Sequence, residues 1–271
     1  MLARIHEASR LDEDAGRDVI RLDGVDYGYE PPTLVISGVS FAVRKRSIVT
    51  LLGPSGCGKS TVLRLIAGLA MPWAGRCSFL GAPIGGVNTR IGFMTQNDTL
   101  LPWLTVAANI ALPLKLRKTP AAIRNEKVAR YLRILNLEHA ADRYPAQLSG
   151  GMKRRALMAR SMIYDPISLL MDEPFGALDA TLREDLHVEL LRTVETLDQT
   201  VVFVTHDIGE AAALSDEVLV FSPGPVSRIV DRIPSPFSGP RDLAALRSTR
   251  AFLEFQHMLR SALEGKGRPK P

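Results

Sequence analysis

Residues 53–61 read Gly53-Pro54-Ser55-Gly56-Cys57-Gly58-Lys59-Ser60-Thr61, directly after the apolar run Ile48-Val49-Thr50-Leu51-Leu52. A strand leading into a glycine-rich loop and then a helix has the mechanics of a phosphate grip. Gly53, Gly56 and Gly58 let the backbone turn tightly, so that successive amide N–H groups point inward while the next helix offers its positive end. Pro54, Ser55 and Cys57 are the intervening positions of the same cradle. Lys59 is placed to reach the β- and γ-phosphates, and the Ser60 hydroxyl suits Mg²⁺, which prefers hard oxygen ligands. Thr61-Val62-Leu63-Arg64-Leu65-Ile66-Ala67 follows with apolar positions at helical spacing. A turn that merely joins a buried strand to a helix is the competing reading, and this context disfavours it.

Working outward, residues 1–18 are polar, carry Asp12, Glu13, Asp14 and Asp18, and read as a loosely held extension. Short β-rich runs then alternate with turn residues up to Met94: Val19 to Leu22, Val39 to Val43, Ile48 to Leu52, Cys77 to Leu80 and Ile91 to Met94. Between about residues 98 and 165 the pattern turns helical, over Val106 to Leu114, Ala121 to Leu135 and Gly151 to Ile163, as in an inserted helical subdomain. Strands and helices alternate again from Ile167 to Phe221, which predicts a parallel sheet with crossover helices and the phosphate loop at its carboxyl edge. Beyond residue 223 a proline-rich segment leads into Asp242 to Leu263, which reads as one closing amphipathic helix.

The other chemistry-bearing residues fall at the ends of these runs. Ile167-Ser168-Leu169-Leu170-Met171 ends in Asp172 and Glu173. Asp172 suits the Mg²⁺ coordination sphere, and Glu173, pointing the other way along an extended backbone, suits polarising a water for in-line attack on a γ-phosphate. His206, after Val201 to Val204, could hydrogen-bond that phosphate, or could serve only as a surface or helix-capping residue. Gln96 could touch Mg²⁺ or the attacking water, or be a polar loop residue. Ser149, Gly150 and Gly151 open the helix after Leu148, which gives either a second anion site or an ordinary serine cap with a glycine turn. If the two phosphate-binding surfaces cannot meet within one molecule, two chains packed head-to-tail would sandwich each nucleotide. Tyr29 offers an aromatic face to an adenine, with core packing as the alternative.

The 271 residues, 46% hydrophobic and 23% charged, suffice for a large core in one composite domain or two small ones. No stretch approaches the roughly eighteen consecutive apolar residues that a bilayer crossing needs, and the N-terminus lacks a secretory pattern, so a cytosolic location is expected. Only Cys57 and Cys77 are present, and Cys57 lies inside the loop, which argues against a structural disulfide. Alkylation of Cys57 would crowd a bound phosphate. A net charge of +5 is spread along the chain, apart from Arg44-Lys45-Arg46 and Lys153-Arg154-Arg155, so nucleic acid is not the expected partner.

Taken in order, Tyr29, GPSGCGKST, Gln96, LSGGM, LLMDEP, the Gly176-Ala177-Leu178-Asp179 turn and His206 closely resemble the ATPase subunit of ABC transporters, over residues 19–222. That resemblance implies an α/β P-loop NTPase of ABC type: a RecA-like mixed sheet core, an antiparallel β subdomain and an inserted helical signature subdomain. It implies ATP and Mg²⁺, with Lys59, Ser60 and Thr61 on the phosphates and metal, Asp172 and Gln96 at the metal, Glu173 at the water and His206 at the γ-phosphate. Ser149, Gly150 and Gly151 would complete the opposing nucleotide site, and Asp179 would bridge a homodimer. Leu101-Pro102-Trp103, Met152 and the ending from Ser222-Pro223-Gly224 to Pro240-Arg241-Asp242-Leu243 resemble the branch that imports nitrate, taurine, alkanesulfonates and related solutes. Met152, Arg154 and Gly176 depart from the commonest pattern, which has Gln, Gln and Ser there.

The resemblance implies an energy-coupling subunit at the cytoplasmic face of the inner membrane. Its partners would be a second copy, two transmembrane permease subunits and, indirectly, a solute-binding protein, with no nucleic acid. Two rivals belong to other classes: a soluble ABC-type ATPase of translation or DNA repair, and a phosphotransferase on the same loop. The first usually carries tandem ATPase units or a long coiled coil, and the second has no use for Ser149 to Met152.

Overall fold

The computed structural model describes residues 18–97, 99–176, 178–237 and 239–265. The expected extension before Asp18 and the end of the tail lie outside the described residues. In chain order the strands are β1 (Asp18–Tyr27), β2 (Ile36–Arg44), β3 (Ile48–Leu52), β4 (Ala74–Phe79), β5 (Ala82–Pro83), β6 (Ile91–Met94), β7 (Ser168–Asp172), β8 (Thr200–Thr205), β9 (Glu217–Phe221) and β10 (Ile229–Pro234). The helices are α1 (Lys59–Ile66), α2 (Val106–Leu116), α3 (Ala121–Ile134), α4 (Gly150–Met162), α5 (Ala180–Thr196), α6 (Ile208–Leu214), α7 (Leu243–Arg247) and α8 (Arg250–Leu263). Two compact units divide the chain: Met1–Asn88 with Asp198–Pro271, and Thr89–Leu197.

The first unit has an antiparallel sheet in the order β2-β1-β4-β5 and a second set of strands in the order β10-β9-β3-β8. Strand β3 runs parallel to β8, with Thr50 opposite Phe203, and parallel to β9, with Leu51 opposite Leu219. All five residues of β3 and all six of β8 are buried. Both faces of a parallel strand are covered, and so these segments read as unbroken apolar or β-branched runs rather than as alternations. The cover comes from α1 on β8, α6 on β3 and β8, and α8 on α6 and β9.

In the second unit β6 and β7 pair in parallel, Met94 opposite Met171. Helix α2 packs on α3 and α4, and α4 packs on β6 and α5. The buried Tyr131 ties α3 to the end of α4 by donating its hydroxyl to Met162 O at 2.7 Å. Burial, and then Asp165, push that phenol well above the usual tyrosine range, so it stays a donor.

Two expectations are corrected in the C-terminal stretch. The closing helix is two helices, because the Ser248 and Thr249 hydroxyls bond back to Ala245 O (2.8 Å) and Leu246 O (2.7 Å), while Thr249 accepts from Phe252 N and starts α8. The proline-rich segment also contains a strand, β10, antiparallel to β9 with Ile229 opposite Phe221. Pro234 is tolerated because it closes this edge strand, where no further ladder hydrogen bond is needed.

Candidate nucleotide site

The glycine-rich loop leaves the carboxyl end of β3, where Leu52 lies opposite Thr205 of β8 and Val220 of β9. Gly56 and Gly58 have φ of +79° and +89°, the left-handed region that favours glycine. Gly58 is also held by lack of room: a Cβ there would lie 2.7 Å from Ile36 Cγ2 and 3.0 Å from Val35 Cγ1. Gly58 caps α1 without any side-chain hydrogen bond, and the first turn carries no acidic residue. The leading amides of α1 therefore receive no acceptor from a side-chain cap, while Pro54, Ser55 and Gly56 are exposed to solvent. Lys59, only 4% exposed, places its ammonium under this loop and donates to Gly53 O at 2.8 Å and Pro54 O at 2.7 Å. Two neutral carbonyls hold a buried cation where a phosphate would satisfy it more fully. That donor set fits a polyphosphate.

Cys57 points inward. The residue is 1% exposed, and its Sγ lies 3.7 Å from Lys59 Nζ, so an alkylating reagent reaches it only if the loop opens. Both cysteines are free thiols. Tyr29 is 58% exposed, which removes the core-packing alternative. Its hydroxyl is hydrogen-bonded to that of Thr61 at 2.9 Å, and its ring meets Tyr27 edge-on at 5.6 Å.

His206 is exposed immediately after β8. The cap of the next helix is not His206 but Asp207, whose Oδ1 accepts from Gly209 N (2.6 Å) and Glu210 N (3.1 Å). Thr205 donates its hydroxyl to the buried Glu210 at 2.5 Å and accepts from Asp207 N at 3.0 Å. Sequence reasoning missed these three residues, although the spacing Asp207-x-x-Glu210 carries the signal of a helix start.

In the second unit the register of β6 and β7 delivers Gln96 and Glu173 side by side. Gln96 Nε2 donates to Glu173 Oε2 at 3.0 Å, which joins two residues singled out separately in the sequence. Glu173 has φ of +45°, and its carbonyl accepts from Gly176 N at 3.2 Å. Asp172, half-buried, ends β7. Ser60 in the first unit carries a hydroxyl and Asp172 in the second a carboxylate, each an oxygen of the kind that a hard divalent cation takes. Among the described residues no three His, Cys, Asp or Glu gather into a cation cage.

Ser149 caps α4, its hydroxyl accepting from Met152 N at 3.3 Å, and both Ser149 and Gly150 are exposed. Gly151 has a packing reason instead: a Cβ there would lie 2.4 Å from Leu182 Cδ1. Asp179 caps α5 by accepting from Leu182 N at 2.9 Å. The loop after Gln96 is fastened by Asn109, a fully buried residue that the sequence did not single out. Its amide donates to Leu101 O, Leu104 O and Thr105 O, and its carbonyl accepts from Leu101 N. Trp103 stands 69% exposed on that pinned loop.

A sequence profile of the family described as ABC transporter matches residues 36–176. The sulfate/thiosulfate import ATP-binding protein CysA of Thermosynechococcus vestitus is 46% identical over 197 residues, 72% of this chain and 59% of that protein, so the chain spans less than two thirds of that relative's length. The taurine import ATP-binding protein TauB of Pseudomonas entomophila is 40% identical over 84% of this chain and 89% of its own. A solved dimeric ATP-binding cassette in a post-hydrolysis state, bound to ADP and phosphate, superposes with a TM-score of 0.69 at 28% identity, covering 81% of this chain and 100% of that one.

Proposed function

The chain belongs to the ABC transporter family, and from that premise we propose that it is the ATP-hydrolysing, energy-coupling subunit of an importer. The relatives named for taurine and sulfate import support a small anionic or zwitterionic solute of the nitrate, sulfonate or taurine kind. The observation that carries the reading is the start of α1, an uncapped helix end with a buried ammonium beneath it.

In this reading the amides of Gly56 to Thr61 bind the β-phosphate, and Lys59 exchanges its two carbonyl partners for β- and γ-phosphate oxygens. The exposed ring of Tyr29 stacks on the adenine. Ser60 and Asp172 would hold Mg²⁺, which supplies charge neutralisation on the phosphates. Glu173 takes the proton of the attacking water. The amide of Gln96 orients this carboxylate, whose oxygens have about four acceptor positions, so accepting from Gln96 does not exhaust them. His206 hydrogen-bonds the γ-phosphate. A second copy, packed head-to-tail, brings Ser149 and the amides of Gly150 and Gly151 to the same phosphate, and Asp179 lies at the dimer contact. Preorganised donors of this kind act on charge that grows in the transition state, and each typically contributes about 2.7–4 kcal/mol.

No described helix is long and apolar enough to cross a membrane. The chain acts as a peripheral subunit at the cytoplasmic face, where the pinned Trp103 loop beside Gln96 meets a pair of permease subunits. A Glu173→Gln variant tests the chemistry: it retains ATP binding, and its turnover falls by about 10²-fold or more, the usual contribution of a general base. Turnover at the wild-type rate would remove Glu173 from that role. Purification from membranes together with a multi-span hydrophobic protein tests the coupling.

A further inference from the structure

Glu173 is held at two points. Its carboxylate is fixed by Gln96, and its carbonyl, besides accepting from Gly176 N, accepts from Arg154 Nη2 at 3.4 Å. The backbone there has φ of +45°, a left-handed conformation that is uncommon for a residue with a side chain and that costs energy unless its neighbours hold it. Arg154 lies on α4, five residues after the capping Ser149, a rise of about 7.5 Å along the helix. One rigid element thus carries both the serine assigned to the partner's nucleotide and a cation that touches the backbone of the residue assigned as base for the chain's own nucleotide.

We propose that Arg154 is a positioning residue for Glu173: its guanidinium holds the left-handed backbone of the base, so the seating of α4 on the partner's phosphate sets the aim of Glu173. The inference rests on the reading of Glu173 as the base and of Ser149 as the partner-facing group. The bond to Glu173 O is long, so it tightens or breaks with small shifts of α4. A displacement of the helix by a few tenths of an ångström is enough to change it. The sequence departs from its family resemblance at this position, where an arginine stands in place of the common glutamine. A guanidinium reaches farther than an amide and keeps its charge at every working pH.

The test uses the full chain, its ATP turnover and its melting temperature. Arg154→Met keeps an apolar stem and removes the donor. It should lower kcat about tenfold with KM changed less than about twofold, because a charged hydrogen bond to the base is lost while the phosphate loop is untouched. Arg154→Lys should recover most of that loss. Combining Arg154→Met with Ser149→Ala should cost less than the product of the two single losses, as expected for two groups acting through one helix. Unchanged kcat in Arg154→Met overturns the proposal. So does a lysine variant as slow as the methionine one with an equally lowered melting temperature, which would mean packing alone. Multiplying losses in the double variant would overturn the link through α4. Failure of the underlying reading looks different: Glu173→Gln would then turn over normally, whatever Arg154 does.

Discussion

Lys59 and Gly58 decide what the phosphate loop can do. In the proposed reading Lys59 exchanges its two carbonyl partners for phosphate, so Lys59→Ala should weaken ATP binding by at least about tenfold, in line with the roughly 1.5–3 kcal/mol of a charged hydrogen bond. A nucleotide titration checks this, and unchanged affinity would count against the loop assignment. Gly56 and Gly58 both have positive φ, but only Gly58 also lacks space for a Cβ. Gly58→Ala should therefore destabilise by about 2–4 kcal/mol, strain plus overpacking, and Gly56→Ala by about 1–2 kcal/mol, as read from denaturation midpoints. Cys77 gives a pH signature. Burial, and then Asp23, raise its thiol from 9.0 to about 11, so between those values the unfolded chain holds fewer protons than the folded one. The contribution of this group to stability is complete below pH 9 and is lost as pH rises through 11, and Cys77→Val should flatten that decline in denaturation midpoint. Glycines, lysine and paired carboxylates were legible from sequence because their spacing is itself the chemistry. The inward turn of Cys57 and the bond between Gln96 and Glu173 were not, since both depend on how side chains pack across elements distant in sequence.

Elements repeat that division. β3, β8 and β9 announce themselves through unbroken apolar runs. β10 escaped because burial alternates along it but hydropathy does not: Ile229 and Val230 are both apolar and Asp231 and Arg232 both charged, so the sequence shows no period of two. The break between α7 and α8 escaped because Leu243 and Leu246 on one side and Phe252, Phe255 and Leu259 on the other read as one amphipathic face, although the polar run Arg247 to Arg250 interrupts it and a hydroxyl pair ahead of an apolar run is a helix-start signal. Asn109 shows the same limit in the loop after Gln96: an amide inside an apolar helix gives no hint of the four backbone groups that it satisfies. Asn109→Ala should lower stability by about 1–3 kcal/mol, because Leu101 N and Leu104 O lose their side-chain partner while Leu101 O and Thr105 O keep backbone donors. The phosphate loop lies in the other unit, so ATP affinity should stay within about twofold while coupling to transport falls. Denaturation, nucleotide titration and solute uptake separate the three effects.

For the whole molecule, the proposed function rests on two copies. Each chain carries a cradle that donates amides to phosphate and, on α4, an exposed Ser149 with its following amides. Sequence motifs revealed both surfaces, but no motif states whether one chain or two closes around a nucleotide. In the proposed reading, closing the pair transmits work through Gln96 and the loop that Asn109 holds. A crystal structure of the Glu173→Gln variant grown with Mg²⁺ and ATP tests this most directly. The account predicts two chains with each triphosphate clasped between residues 53–61 of one and Ser149 of the other. A triphosphate touched by one chain alone, with Ser149 remote from any ligand, would contradict it.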